Sequence, residues 1–223
     1  MIEQNLIKLF EHSFKNNWEL PAYTNYYRQV TLTYGDSAKQ IAKLHLLFEQ
    51  ANIKPGDKIS LIGRNTPNWT ITYVAVVTYG AVIVPILQDF NANDVHHIVN
   101  HSDSVLLFCS DKIWDKLDED KMENLMAVIS LNDFTCMYQN EENTMQSMLT
   151  NLNDEFAARY PNGYGPNDIH YTERDNSELA MISYTSGTTG FSKGVMLTAN
   201  ALAGNITYGI RSKLLERGNR VLN

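Results

Sequence analysis

Short apolar runs separated by helix-patterned stretches constrain this chain most. They fall at residues 58–63, 81–86, 104–109 and 127–131, for example Ala81-Val82-Ile83-Val84-Pro85-Ile86. They are apolar throughout and do not switch regularly between polar and apolar positions. A strand that reads this way is buried on both faces, which is the signature of a parallel sheet covered by helices. The intervening stretches supply those helices. Thr33-Tyr34-Gly35-Asp36 is a capping-box pattern. Ile41, Leu44, Phe48 and Ala51 then mark the core stripe of a helix over 36–51. Thr66-Pro67 predicts a second helix start, with proline where no N–H is needed, running to Tyr79. Asn93-Asp94 starts a third, toward His101. Leu6, Leu9, Phe10 and Phe14 suit a short amphipathic helix near the N-terminus. The expected fold class is α/β: a doubly wound, mostly parallel sheet with helices on both faces.

Residues 132–178 break this rhythm. A polar helix is expected over 143–159. It is followed by Tyr160-Pro161-Asn162-Gly163-Tyr164-Gly165-Pro166, a loop by composition. Two readings of the region stay open: a subdomain boundary near 160–178, or a surface excursion within one domain.

Composition excludes several classes. The chain has 223 residues, 43% hydrophobic and 19% charged, which is an ordinary globular composition. Lys plus Arg number 18 against 25 Asp plus Glu, a formal charge of −7. A duplex-binding domain shows a basic excess or stripe, so no nucleic-acid partner is expected. A local anion site remains open, because backbone N–H groups and one lysine suffice to build it. Cys109 and Cys136 have no metal or redox spacing, and with no secretory signature they read as reduced thiols in the cytoplasm. No Asp, Glu, Lys or Arg occurs from Asn65 to Gln88. Its asparagines, threonines, Gly80 and Pro85 favour a buried helix, a turn and a strand over a membrane span.

The most informative segment is Tyr184-Thr185-Ser186-Gly187-Thr188-Thr189-Gly190-Phe191-Ser192-Lys193-Gly194. An apolar strand leads into it and a second, Val195-Met196-Leu197, leaves it. The glycines let backbone approach a ligand closely. The hydroxyls can donate to phosphate oxygens or ligate magnesium, and Lys193 brings a movable positive charge. Successive N–H groups in such a loop form an anion-binding nest. The plain alternative is a Gly/Ser turn joining two strands. It is not a Walker A loop, which started at Gly187 needs Gly at 192 and Ser or Thr at 194; the chain has Ser192 and Gly194. No Gly-x-Gly-x-x-Gly opens a helix either, so there is no dinucleotide fingerprint.

Residues 184–198 closely resemble the phosphate-loop signature of the AMP-forming adenylating enzymes: acyl-CoA synthetases, luciferase-like enzymes and peptide-synthetase adenylation domains. Upstream blocks also look like that family, in the same order: Leu32-Thr33-Tyr34, then Ile53-Lys54-Pro55-Gly56-Asp57 with Asn65-Thr66-Pro67-Asn68-Trp69, then residues 79–86. Thr188-Thr189-Gly190 followed by Lys193-Gly194-Val195-Met196-Leu197-Thr198 is most similar to the long-chain fatty acid–CoA ligases. Ser192 departs from the family's usual proline, and Ala199 from its common histidine.

The resemblance implies the large N-terminal domain of such an enzyme over residues 1–223, with the C-terminal part and the small domain absent. It implies ATP, Mg2+ and coenzyme A as cofactor and co-substrates, and a fatty acid or other carboxylate as substrate. Thr185, Ser186, Gly187, Thr188, Thr189, Gly190 and Lys193 would cradle the phosphates, with Thr188 or Thr189 at magnesium. No catalytic residue is assigned within this stretch, which is expected to be inactive alone and to open an apolar face where the missing half packs. Cytoplasmic localisation, with peripheral contact to a membrane, is the matching expectation. Two alternatives remain: a nucleotide- or partner-binding module without catalysis, and an adenylating enzyme of another branch. His97 and His101 stand four apart with His96, Asp94 and Asp103 nearby, a spacing that can hold zinc. The family resemblance implies no metal there.

Overall fold

The computed structural model describes residues 4–25, 29–185, 192–213, 218–219 and 221. After a first helix α1 (Leu6–Asn16), β1 (Pro21–Asn25) and β2 (Val30–Thr33) form an antiparallel hairpin. The remaining strands build one sheet. They are β3 (Lys58–Ile62), β4 (Val82–Ile86), β5 (Ser104–Cys109), β6 (Ala127–Ser130), β7 (Cys136–Gln139), β8 (Leu179–Thr185) and β9 (Lys193–Thr198). Their order is β7-β6-β5-β3-β4-β8-β9. The inner pairs are parallel, while β7 and β9 join the two edges antiparallel. The expected mostly parallel sheet is therefore present, with antiparallel edges that the sequence did not announce.

Its helices are α2 (Tyr34–Gln50), α3 (Pro67–Tyr79), α4 (Ala92–His101), the single turn α5 (Asp111–Trp114), α6 (Met145–Arg159) and α7 (Ala199–Arg211). Two apolar cores lie on the two faces of the sheet. Along a strand successive side chains point to opposite faces. Ile83 of β4 and Leu106 and Phe108 of β5 enter the core shared with α1, α2, α3 and α6. Val82, Val84 and Ile86, with Leu107 and Cys109, enter the core closed by Val95, Ile98 and Val99 of α4. Both sets of alternate positions are apolar, which is why the strands read as unbroken apolar runs.

Local chemistry sets the helix limits. The capping box at α2 forms: the Asp36 N–H donates to Thr33 Oγ1 at 3.0 Å, and the Thr33 N–H donates to Asp36 Oδ2 at 3.0 Å. Thr66 Oγ1 accepts from the Trp69 N–H at 3.2 Å, and Pro67 opens α3. Gly80 ends α3 at φ 92°, a left-handed conformation that favours glycine. The Arg174 guanidinium donates to the Gly80 carbonyl and packs where a Cβ would stand. His45 of α2 is half-buried, with Nε2 3.0 Å from both the Ala75 carbonyl and Thr78 Oγ1. Burial pushes its pKa down to about 4, because the charged ring would lose its hydration.

Residues 160–178 pack as an extension of the first core. Tyr164, Ile169 and Tyr171 are buried in it. The segment is tied to the start of α1: Asn5 Nδ2 donates to the Arg174 carbonyl at 2.6 Å, and the Leu6 N–H donates to Asn176 Oδ1 at 3.0 Å. At the same edge, where the Asn200 N–H donates to the Asn176 carbonyl at 2.7 Å, β9 and α7 leave Val195, Met196, Tyr208 and Ile210 exposed.

Candidate nucleotide-phosphate site

Doubly wound sheets hold ligands outside the carboxyl ends of their strands, where the winding reverses. Here β4 lies on one side of β3 and β5 on the other, so the reversal is between β3 and β5. That crevice is filled. A Cβ on Gly63 would meet Leu131 Cδ1 at 2.8 Å. The Ser110 N–H donates to the Ile62 carbonyl at 3.1 Å. Ser130 Oγ and Asn132 Nδ2 both donate to Asp111, at 2.6 and 2.7 Å.

The described ends of the predicted phosphate loop lie instead at β8 and β9. β8 runs parallel to β4, so its last residue, Thr185, reaches the carboxyl edge of the sheet. β9 returns antiparallel. The register pairs Ser183 with Val195, Tyr184 with Gly194, and Thr185 with Lys193. The structure thus brings Thr185 and Lys193 together as opposite members of the last rung, both exposed, while Ser192 is buried beside them. Ser186, Gly187, Thr188, Thr189 and Gly190 lie outside the described residues. An exposed hydroxyl and an ammonium at a strand end can both donate to an anion.

Beneath the rung, Ile182 and Tyr184 point into the core under α4. The Tyr184 hydroxyl lies 2.7 Å from His101 Nδ1, the rings nearly perpendicular at 85°. Burial, with Asp103 nearby, raises the Tyr184 pKa, so the phenol stays protonated. On the other face, Tyr73 of α3 stacks on Trp69 at 5.7 Å and directs its hydroxyl to Met181 Sδ at 3.6 Å. Desolvation pushes the Tyr73 pKa up to about 12.

The histidines of α4 meet protein partners. His101 Nδ1 faces Tyr184, and His96 Nε2 accepts from the Asp118 N–H at 3.0 Å. The His97 and His101 ring centroids lie 5.3 Å apart, the planes tilted by 37°. Among the described residues, no three His, Cys, Asp or Glu side chains are grouped to hold a metal ion. The His101–Tyr184 link was not legible in sequence. The two residues are 83 positions apart.

Comparison with known proteins decides the family. The model of the AMP-binding enzyme family matches residues 10–222. The chain belongs to the AMP-binding enzyme family. Among curated relatives of this AMP-binding chain, long chain acyl-CoA synthetase 4 of Arabidopsis thaliana is 28% identical over 198 residues, covering 87% of this chain and 29% of that protein. Long chain acyl-CoA synthetase 2 of the same plant is 24% identical over 175 residues, covering 77% and 26%. The AMP-binding chain thus spans between a quarter and a third of these relatives' length. Among solved structures, a long-chain-fatty-acid-CoA ligase from Archaeoglobus fulgidus superposes with a TM-score of 0.71 at 18% identity, covering 95% of this chain and 40% of that one. That likeness establishes the shared fold. Among the described residues, no helix is long and apolar enough to cross a membrane.

Proposed function

We propose that this chain forms the ATP-phosphate-binding part of an AMP-forming fatty acid–CoA ligase. A carboxylate oxygen of the substrate attacks the α-phosphorus of ATP. An acyl–O–P bond forms, the bridging bond to the β-phosphate breaks, and pyrophosphate leaves. The thiol sulfur of coenzyme A then attacks the acyl carbon, and AMP leaves. The rung Thr185–Lys193 at the carboxyl edge of the sheet carries this reading most directly. It presents a hydroxyl and a cation on either side of a Gly- and Thr-rich sequence, a donor set suited to an anion. Ser186, Gly187, Thr188, Thr189 and Gly190 complete the cradle, and backbone N–H groups supply further donors.

Magnesium arrives on the nucleotide in this reading, with Thr188 or Thr189 as its protein oxygen. The described donors here, a hydroxyl and an ammonium, suit phosphate rather than a bare cation. When bound, the ion would neutralise charge building on the leaving pyrophosphate. The relatives' names favour a long-chain acyl substrate. The enzyme would work in the cytoplasm and meet that substrate at the membrane periphery.

Fatty-acid-dependent exchange of labelled pyrophosphate into ATP by the intact protein that carries this chain tests the proposal. Exchange that Lys193→Ala and Thr188→Ala abolish supports it. Exchange that persists in both variants removes the site assignment. Nucleotide binding without exchange for any carboxylate favours a binding module.

A further inference from the structure

The two strands that carry Thr185 and Lys193 are not held equally. β8 is paired on both sides, but β9 is an edge strand. Lys193, Gly194, Val195 and Met196 are all exposed, so packing gives this end of β9 little. Gly194 weakens it further, because a glycine inside a strand brings no side chain to pack and more backbone freedom to lose. Ile182 Cγ2 and the Tyr184 ring of β8 compensate. The Tyr184 ring reaches across to Gly194, its partner on the ladder. A Cβ on Gly194 would come within 3.1 Å of Tyr184 Cζ and 3.3 Å of its hydroxyl oxygen. Glycine is therefore what lets the ring cover the strand, as an aromatic side chain shields a strand glycine. The ring's far end is then pinned to α4 by the 2.7 Å bond to His101.

We propose that His101 is a positioning residue for the candidate phosphate site: through Tyr184, seated on Gly194, it fixes the rung that presents Thr185 and Lys193. The proposal rests on the ligase reading for its substrate and on the contacts themselves for the clamp. Tyr184 precedes Thr185 and Gly194 follows Lys193, so the clamp grips both stems one residue from the side chains that would meet phosphate. Ordering the rung before ATP arrives lowers the cost of ordering it on binding. His101 is exposed at the C-terminal end of α4, so replacing it opens no core cavity.

The test uses the intact protein with Tyr184→Phe, His101→Ala, the double variant and His101→Gln, whose amide can still meet the phenol. Two measurements are made. Amide hydrogen exchange over 179–185 and 192–198 reads the rung. Pyrophosphate-exchange kinetics read kcat and the KM values for MgATP and for the fatty acid. We expect faster amide exchange in Tyr184→Phe and His101→Ala. We also expect a KM for MgATP raised about three- to tenfold, the worth of one hydrogen bond, with the fatty-acid KM unchanged. The double variant should be no worse than either single one, and His101→Gln should recover part of the loss. Unchanged amide exchange in both single variants overturns the clamp. Faster amide exchange with an unchanged KM for MgATP overturns the positioning role, as does an equal rise in both KM values. A wild-type protein that uses no ATP defeats the ligase reading instead, and amide exchange then decides the clamp alone.

Discussion

Thr185 stands directly opposite Lys193 on the last rung between β8 and β9. The rung places a hydroxyl and an ammonium side by side where the parallel sheet ends. At the winding reversal, by contrast, Leu131 packs against Gly63 between the ends of β3 and β5.

Lys193 is exposed, and in the proposed reading its charge serves the ligand rather than the fold. Lys193→Ala should leave thermal stability nearly unchanged, within about 0.5 kcal/mol, as for ordinary surface substitutions. It should lower kcat/KM for ATP by roughly tenfold or more, the loss of a charge-assisted hydrogen bond. A stability loss that parallels the activity loss would show a structural lysine instead.

Gly194 should not tolerate a branched side chain. A Cβ there already meets Ile182 Cγ2 at 2.9 Å as well as the Tyr184 ring. Gly194→Val should cost about 1–3 kcal/mol in urea unfolding, the usual range for overpacking. Met196→Val, at an exposed position of the same strand, is the control and should cost far less.

His45 gives stability a pH dependence with a definite sign. Its pKa is pushed down from 6.5 to about 4 in the folded chain. Between those values the unfolded chain binds a proton that the folded chain excludes. The contribution is therefore fully present above pH 6.5 and is lost as pH falls toward 4. It amounts to roughly 3 kcal/mol in all, the free-energy equivalent of that displacement of the proton equilibrium. Urea unfolding at pH 7 and pH 5 should show a smaller difference for His45→Gln than for the parent. Equal differences would contradict the assignment.

The capping box predicts a smaller effect. Thr33→Ala removes the acceptor for the Asp36 N–H and the hydroxyl that donates to Asp36 Oδ2 at 2.8 Å. The expected loss is about 1 kcal/mol, read as a lower urea midpoint with an unchanged slope. Thr33→Ser should recover most of it.

How much of this was legible in the sequence follows from where each residue's partner lies. The start of α3 at Thr66-Pro67 and the box at Thr33 and Asp36 are local, and both formed where the sequence put them. α2 begins at Tyr34 rather than 36, because the box residues already sit in the first turn. The strands β3 to β6 were legible because both faces are buried, which makes most positions apolar; the buried Ser60, Ser104 and Ser130 are hydrogen-bonded. β1, β2 and β7 were not, since residues such as Thr24, Thr31 and Gln139 are exposed and carry no run. α7 was not legible either: of its residues only Ala199 and Ala203 are buried, too few to mark an apolar stripe. At the candidate site, composition and resemblance pointed to Thr185 and Lys193. The His101–Tyr184 bond joins distant elements, and neither residue's neighbours in sequence announce it.

In the proposed reading the intact protein makes acyl-adenylate. Pyrophosphate exchange into ATP, measured with a series of fatty acids on the parent and Lys193→Ala proteins, addresses this most directly. Exchange that requires a fatty acid and collapses in Lys193→Ala is the predicted result. A folded, ATP-saturated protein that exchanges no pyrophosphate with any carboxylate would contradict it.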